Sequence, residues 1–334
     1  MSNSQNILKI LFLYIPACLY GIIVKIRNYF YDNDILKSKS YDIPIICVGN
    51  LTVGGTGKTP HTQFIINYLK DKKVAVLSRG YKRKTKGFFL VETTSHSSNC
   101  GDEPLLIKRN FPSIPVAVCE NRCNGVEKLL ELYPNLETII LDDGFQHRHL
   151  KPSISVLLNN YNRQYNNDFF LPYGRLRDCK SAYKRANYII FTKCPENLSI
   201  EEKNELIKSI KPLDNQQVLF SYIKYNSLIN IDNQSEIILS ELKNFNILLV
   251  TGIAEPKTLL NFLTNNSKSL KHLQYTDHHN FKTNNINEIF NEFEKIELPK
   301  IVVITEKDAI KFAELNITTE LAKLIYYLPI KIEF

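Results

Sequence analysis

VGNLTVGGTGKTP, residues 48–60, decides how the rest of the chain is read. Its tail, Gly57-Lys58-Thr59, matches the end of the phosphate-binding pattern G-x-x-x-x-G-K-S/T, but Thr52 stands where the pattern has its first glycine. The flanks favour the match. The apolar run IPIICVG (43–49) reads as a strand, and KTPHTQFIINYL (58–69) starts a helix. Strand, glycine-rich turn and helix N-terminus together form a cradle for a nucleotide phosphate. Gly54, Gly55 and Gly57 let backbone N–H groups turn inward, and the helix dipole adds to them. Thr52, Val53 and Thr56 complete the loop. Lys58 is expected to reach the β- and γ-phosphates of ATP, and Thr59 to offer its hydroxyl to Mg2+. Pro60 falls in the first helical turn, where its missing N–H costs nothing. Thr52 is acceptable if its backbone dihedrals are ordinary.

Outward from this loop, KVAVLS (73–78), IPVAVC (114–119), ETIILDD (137–143), SISVLLN (153–159) and ANYIIFT (186–192) read as strands. Helical spacing lies between several of them, around 61–71 and 125–133. Near-continuous apolar strands alternating with helices predict a parallel sheet covered on both faces. A polar segment, 196–216, is expected to hold one surface helix. The stretch 218–231 alternates enough to be a strand pair joining two halves. FNILLVTGIA (245–254) and PKIVVITEKDA (299–309) then belong to a smaller α/β unit.

A chain of 334 residues has room for two ordinary domains. With 44% hydrophobic and 23% charged residues it is a folded protein, not a disordered one. The net charge of +8 suits anionic company (nucleotides, nucleic acid or an anionic membrane), or a merely basic surface. Seven cysteines without a C-x-x-C pair point to reduced, mostly buried thiols and the cytoplasm. The N-terminus carries an uncharged run, Ile10 to Val24, with no small-residue cleavage site after it. As a helix the run covers roughly 22 Å, short of the roughly 30 Å hydrocarbon core, and Pro16 should kink it. Lys25, Arg27, Tyr29, Phe30 and Tyr31 follow, as in an interfacial anchor. The other reading is a helix docked on the protein's own core.

Phosphoryl transfer needs cations, a metal site and a base. TIILDDGFQH ends a strand in Asp142 and Asp143, two candidate Mg2+ carboxylates that the sequence does not rank. Asp102 and Glu103 precede Pro104, where a helix should start, so Asp102 is an N-cap or a catalytic group. LSRGYKRKTKG (77–87) is a basic run, solvated surface or a guide for an anionic substrate. YTDHHNF (275–281) offers one functional histidine, since neighbours point in different directions.

GNLTVGGTGKTP, SRGY, GDEP, ENRCNG, LDDGFQH, LPYGRLRD, TGIAEP, DHHNF and TEKDA occur in an order that closely resembles the tetraacyldisaccharide 4′-kinase (lipid A 4′-kinase) family over nearly the whole chain. The resemblance implies a P-loop kinase-like α/β/α domain, a second, smaller α/β/α domain and an N-terminal membrane-associated helix. It implies the division 1–31 (helix), 32–215 (ATP-binding domain), 216–231 (two-stranded linker) and 232–334 (smaller domain contributing to the cleft). It implies a late step of lipid A (lipopolysaccharide) biosynthesis, MgATP-dependent phosphorylation of the 4′-hydroxyl of a tetraacylated glucosamine disaccharide 1-phosphate. The enzyme would sit on the cytoplasmic face of the bacterial inner membrane, peripheral or monotopic, with no nucleic acid and no obligatory protein partner. By motif, Asp102 matches the base and His278 its supporting partner, with Lys58 and Thr59 in the loop and Asp142 and Asp143 beside the metal. Arg79, Tyr81, Arg122, Gln146 and Arg177 match polar residues around nucleotide and substrate. Threonine at the loop's first position is usual there. Arg175 and Asp178 depart from the family's GPLRE pattern. The rivals are a membrane-associated switch ATPase and a kinase for a soluble metabolite. Val53 stands where deviant-loop switches carry a lysine, which argues against the first.

Overall fold

Runs of Val, Ile and Leu buried on both sides build one eight-stranded sheet, seen in a computed structural model that describes residues 2–315 and 317–334, with side chains from Phe12 onward. In chain order its strands are β1 (Ile45–Asn50), β2 (Val74–Ser78), β3 (Phe89–Val91), β4 (Val116–Val118), β5 (Thr138–Asp142), β6 (Ile154–Asn160), β7 (Tyr188–Thr192) and β8 (Gln217–Phe220). Their spatial order is β3-β4-β2-β5-β1-β6-β7-β8, parallel throughout except for the β3–β4 edge. The helices before and between them are α1 (Ser2–Asp32), α2 (Lys58–Tyr68), α3 (Ser97–Cys100), α4 (Asp102–Asn110), α5 (Arg122–Leu132) and α6 (Ile200–Ile210). Cys123, Val126, Leu129, Leu206 and Ile210, from α5 and α6, cover one face of the sheet. Ile66, Leu105, Leu106 and Ile107, from α2 and α4, cover the other. This explains why the strands read as continuous apolar runs instead of alternating ones. β1 lies between β5 and β6, and Val48 pairs with Asp142. The carboxyl ends of the two central strands therefore emerge side by side, where open α/β sheets bind ligands.

A second sheet follows. After β9 (Tyr222–Tyr225) come β10 (Leu228–Asn230), β11 (Glu236–Ile237), β12 (Asn246–Thr251), β13 (Ser269–Gln274), β14 (Lys300–Thr305), β15 (Ile325–Leu328) and β16 (Ile330–Glu333). Six of these are ordered β11-β10-β15-β14-β12-β13. The helices here are α7 (Lys257–Asn266), α8 (Thr283–Glu294), α9 (Glu306–Phe312) and α10 (Thr319–Ala322). α8 packs on one face through Ile289 and Phe293, and α7 on the other through Leu259 and Leu263. Ile310 of α9 instead joins the core of the large sheet, so α9 bridges the halves.

The stretch 218–231, expected to be one strand pair, is instead three short strands in three sheets. β8 closes the edge of the large sheet beside β7, β9 pairs antiparallel with the C-terminal β16, and β10 joins the second sheet. Each is four residues or fewer. Alternation over such short runs cannot say which partner a strand finds. α1 continues through Pro16. Ala17, Gly21, Val24 and Asn28 recur at helical spacing against the body of the protein, while Phe12, Ile15, Leu19, Ile22, Ile23 and Ile26 face outward. Among the described residues no helix is long and apolar enough to cross a membrane.

Candidate active site

The phosphate loop joins β1 to α2, and two of its glycines are there for backbone reasons. Gly54 and Gly57 have φ of 107° and 87°, in the left-handed region that favours glycine. Thr52 is different. It forms an antiparallel bridge with Leu176, while Val53 N–H donates to Arg175 O at 2.8 Å and Arg177 N–H to Leu51 O at 2.7 Å. The first position is thus extended backbone stitched to the 171–178 segment, and a threonine fits without strain. Asn50 Nδ2 donates to Thr56 Oγ1 at 2.8 Å, and Thr192 Oγ1 donates to Thr56 O at 2.9 Å, bracing the loop from β1 and β7.

Opposite the loop, the two aspartates differ. Asp142 is fully buried and accepts a hydrogen bond from Thr62 Oγ1 at 3.0 Å, but its Oδ2 has no partner among the described residues. Burial, then the nearby charges of Glu103 and Asp143, raise its carboxyl above the ordinary range. Asp143, at φ 55°, is held in a fork by Arg177, with Nη2–Oδ1 at 2.7 Å and Nη1–Oδ2 at 3.1 Å, and Lys58 Nζ lies 3.7 Å from Oδ2. Burial alone would raise Asp143 too, but Lys58 and Arg177 hold it well below the usual carboxylate range. Asp142 is the carboxylate with a free oxygen. Together with the Thr59 hydroxyl it would supply the hard, sparse donor set that suits Mg2+, which keeps most of its other positions for phosphate and water. Among the described residues no cluster of three or more acidic, His or Cys side chains forms a complete metal cage.

Asp102 is not the N-cap of α4. Gly101, at φ 94°, caps the helix, and Asp102 is its first residue with the carboxylate turned across the cleft. His278 Nδ1 lies 2.9 Å from Asp102 Oδ2 and 3.1 Å from Oδ1, bringing together residues from the two halves of the chain. His278 Nε2 faces Lys307 Nζ at 3.2 Å, so the tautomer that satisfies both partners carries its proton on Nδ1. Lys311 Nζ lies 3.1 Å from Asp102 Oδ2. Burial would raise the Asp102 carboxyl, but the hydrogen bond from His278 and the charges of Lys307 and Lys311 hold it well below the usual range.

The remaining candidates are spread around this cleft. Tyr81 is exposed, its ring centroid 5.4 Å from that of His278. Arg79 is exposed at the end of β2. Arg122 is buried, donating to Cys119 O at 3.0 Å and Glu120 O at 3.2 Å, with Nη2 3.4 Å from Asp143 O; it braces the aspartate turn from behind. Gln146 Nε2 donates to Asn50 O at 2.6 Å. Of the basic run, Arg83 is internal, tied to Glu120 and Gly87 O, and not solvated surface. Three groups lay beyond the sequence reading. Lys307 and Lys311 face Asp102, and Glu255 reaches Lys193 Nζ at 2.9 Å and Arg175 Nη1 at 3.5 Å beside the loop. The TEKDA and TGIAEP motifs hold Lys307 and Glu255, while Lys311 lies two residues beyond TEKDA and had no signal. α1 touches the same region. Tyr20 OH donates to Arg177 O at 3.0 Å, Arg27 Nη2 to Gln146 O at 2.6 Å, and Asn28 Nδ2 to Asp178 Oδ1 at 2.6 Å.

Comparison with known proteins matches residues 9–334 to the family described as Tetraacyldisaccharide-1-P 4′-kinase. A tetraacyldisaccharide 4′-kinase of Bacteroides thetaiotaomicron is 42% identical over 334 residues, 96% of this chain and 88% of that one. The Flavobacterium psychrophilum protein of the same name is 43% identical over 319 residues, covering 94% and 90%. A crystal structure of LpxK from Aquifex aeolicus in complex with ATP superposes with a TM-score of 0.72 at 29% identity, covering 95% of this chain and 92% of that one.

Proposed function

The chain belongs to the tetraacyldisaccharide-1-P 4′-kinase family and acts as an ATP-dependent kinase of lipid A biosynthesis, and we propose which of its residues carry each part of that reaction. The acceptor is the 4′-hydroxyl of an acylated disaccharide 1-phosphate. The observation that carries the assignment is the Asp102–His278 contact, made between α4 of one half and the segment after β13 of the other. His278 aims the carboxylate through its Nδ1–H. Asp102 accepts the hydroxyl proton as that oxygen bonds to the γ-phosphorus and the bond from phosphorus to the β,γ-bridging oxygen breaks, releasing ADP. Thr52 to Thr59 cradle the phosphates, and Lys58 offsets charge on the transferring group. Asp142 and Thr59 would hold Mg2+, which when bound neutralises charge on the β- and γ-phosphates. Asp143 orders Lys58 and Arg177 instead. Arg79, Tyr81 and Gln146 line the acceptor side, and Arg122 supports the aspartate turn. Residues 32–215 and 232–334 act as two domains whose closure brings Asp102 to His278 and excludes water.

The outward face of α1, with Phe12 at 78% and Ile23 at 64% exposure and Lys25 and Arg27 close by, supports a peripheral or monotopic seat on the cytoplasmic face of the inner membrane. An acylated substrate leaves a bilayer at about 0.8 kcal/mol per CH2, so the kinase must come to it. The contacts of α1 with Gln146, Arg177 and Asp178 support a membrane-seated helix beside the acceptor side of the site. Asp102→Asn and His278→Gln test the assignment. Both should lower kcat by about a hundredfold or more with ATP binding, read by calorimetry, retained. Loss of ATP affinity with kcat unchanged would remove both from the base role.

A further inference from the structure

We propose that Lys307 and Lys311, on α9 of the second sheet, are positioning residues for this kinase, holding Asp102 as an aimed, charged carboxylate once the two halves meet. The inference rests on the reading of Asp102 as the base. Lys311 is 7% exposed, and its ammonium has no hydrogen-bond acceptor among the described residues; Asp102 Oδ2, at 3.1 Å, is its one ion-pair neighbour there. A buried ammonium stays charged only beside an opposite charge, so this lysine and this carboxylate depend on each other. Lys307 Nζ reaches Glu103 Oε1 at 2.9 Å, His278 Nε2 at 3.2 Å and Asp102 Oδ2 at 4.0 Å. The two lysines are one helical turn apart, so α9 presents both on one face.

The helix that carries them is fixed. Thr305 caps it by accepting from Asp308 N–H at 3.1 Å, and the Asp308 carboxylate accepts from Gly252 N–H at 2.9 Å. Ile310, between the lysines, packs into the core of the large sheet. The charged and titratable groups around Asp102 are Glu103 on its own helix, Cys100 on α3, Asp277 and His278 after β13, Tyr81 over the His278 ring, and Lys307 and Lys311. Of these side chains, the two lysines and His278 favour the charged carboxylate against its burial, beside the Glu103 N–H that donates to Asp102 Oδ1 at 3.1 Å. Loss of an opposite charge at this range raises a carboxyl by about 1–3 pH units. The carboxyl would then move back toward the ordinary carboxylate range, so its protonation would set in at a higher pH on the acid side of the profile.

The test is the pH profile of kcat for the full-length enzyme in mixed micelles at saturating ATP and lipid. Lys311→Met and Lys307→Met should move its acid limb up by about one unit or more, with ATP KM within about threefold of wild type. Lys311→Arg should keep the wild-type limb. An unmoved limb in both Met variants, or a loss equal at every pH, overturns the proposal. Lys307→Met, nearer the rim, carries the test should Lys311→Met fail to fold. Asp102→Asn runs beside them. If it is inactive while the Met limbs stay put, the lysine inference alone falls; if it keeps wild-type kcat, the base assignment falls and takes the inference with it.

Discussion

Removing Arg177 separates the duties of the two adjacent aspartates. Its guanidinium grips both oxygens of Asp143, at 2.7 and 3.1 Å, with the side chains 23% and 28% exposed. Unit charges about 4 Å apart attract by roughly 4 kcal/mol at an effective dielectric of about 20. Water access to about a quarter of each side chain and the desolvation of both reduce this to a coupling of about 2 kcal/mol. A double-mutant cycle of Arg177→Met and Asp143→Asn, read by urea unfolding at pH 7, measures it. Asp143 is depressed in the folded chain, by Lys58 and Arg177 acting against its burial. Its contribution is therefore present above its unfolded pKa of about 3.9 and is lost as pH falls through the lower folded value. In Arg177→Met the folded value rises toward the unfolded one, so the loss is smaller and is complete at a higher pH. A coupling under about 0.5 kcal/mol at pH 7 would refute the claim that Arg177 occupies Asp143, and would return that carboxylate to the metal candidates.

Asp142→Asn should raise the Mg2+ concentration for half-maximal activity by about tenfold or more, because it removes the aspartate with the free oxygen; an unchanged Mg2+ titration would contradict this. Thr52→Gly should leave ATP KM within about threefold, since Thr52 is extended and bridged to Leu176, whereas Gly57→Ala at φ 87° adds about 1–2 kcal/mol of strain. A gain of ATP affinity in Thr52→Gly would show that the first position needs glycine after all. At Gly21 a Cβ would lie 2.6 Å from a ring carbon of Phe170, so Gly21→Leu should cost about 1–3 kcal/mol of docking and depress lipid phosphorylation in micelles with ATP binding kept. Undiminished micellar activity would separate α1 from the reaction.

What could be read from the sequence follows from how local each signal is. The loop at 52–59 was legible because glycine spacing and flanking strand and helix lie within one short stretch. The buried strands β1, β5, β6 and β7 announced themselves as apolar runs. β13 did not: Ser269–Gln274 is SLKHLQ, half exposed at a sheet edge, with no continuous apolar signal. β3, three residues long and antiparallel at an edge of the large sheet, gave even less. The site divides in the same way. Asp142 and Asp143 stand at the end of an obvious strand, but only the Arg177 fork distinguishes them. The Asp102–His278 pairing spans 176 positions and came from family resemblance, since no local pattern carries a contact made by folding two sheets together. Lys307 and Lys311 sat unremarked in TEKDAIK for that reason. A helix just after a strand usually turns such lysines to water, and here Ile310 rolls the helix onto the other half instead.

The most direct test of the account follows labelled γ-phosphate from ATP with a purified acylated glucosamine disaccharide 1-phosphate in detergent micelles, wild type beside Asp102→Asn. Wild type should place label on the 4′-position of the lipid, and the variant almost none. Steady ATP hydrolysis with no labelled lipid, or equal labelling by both proteins, would contradict it.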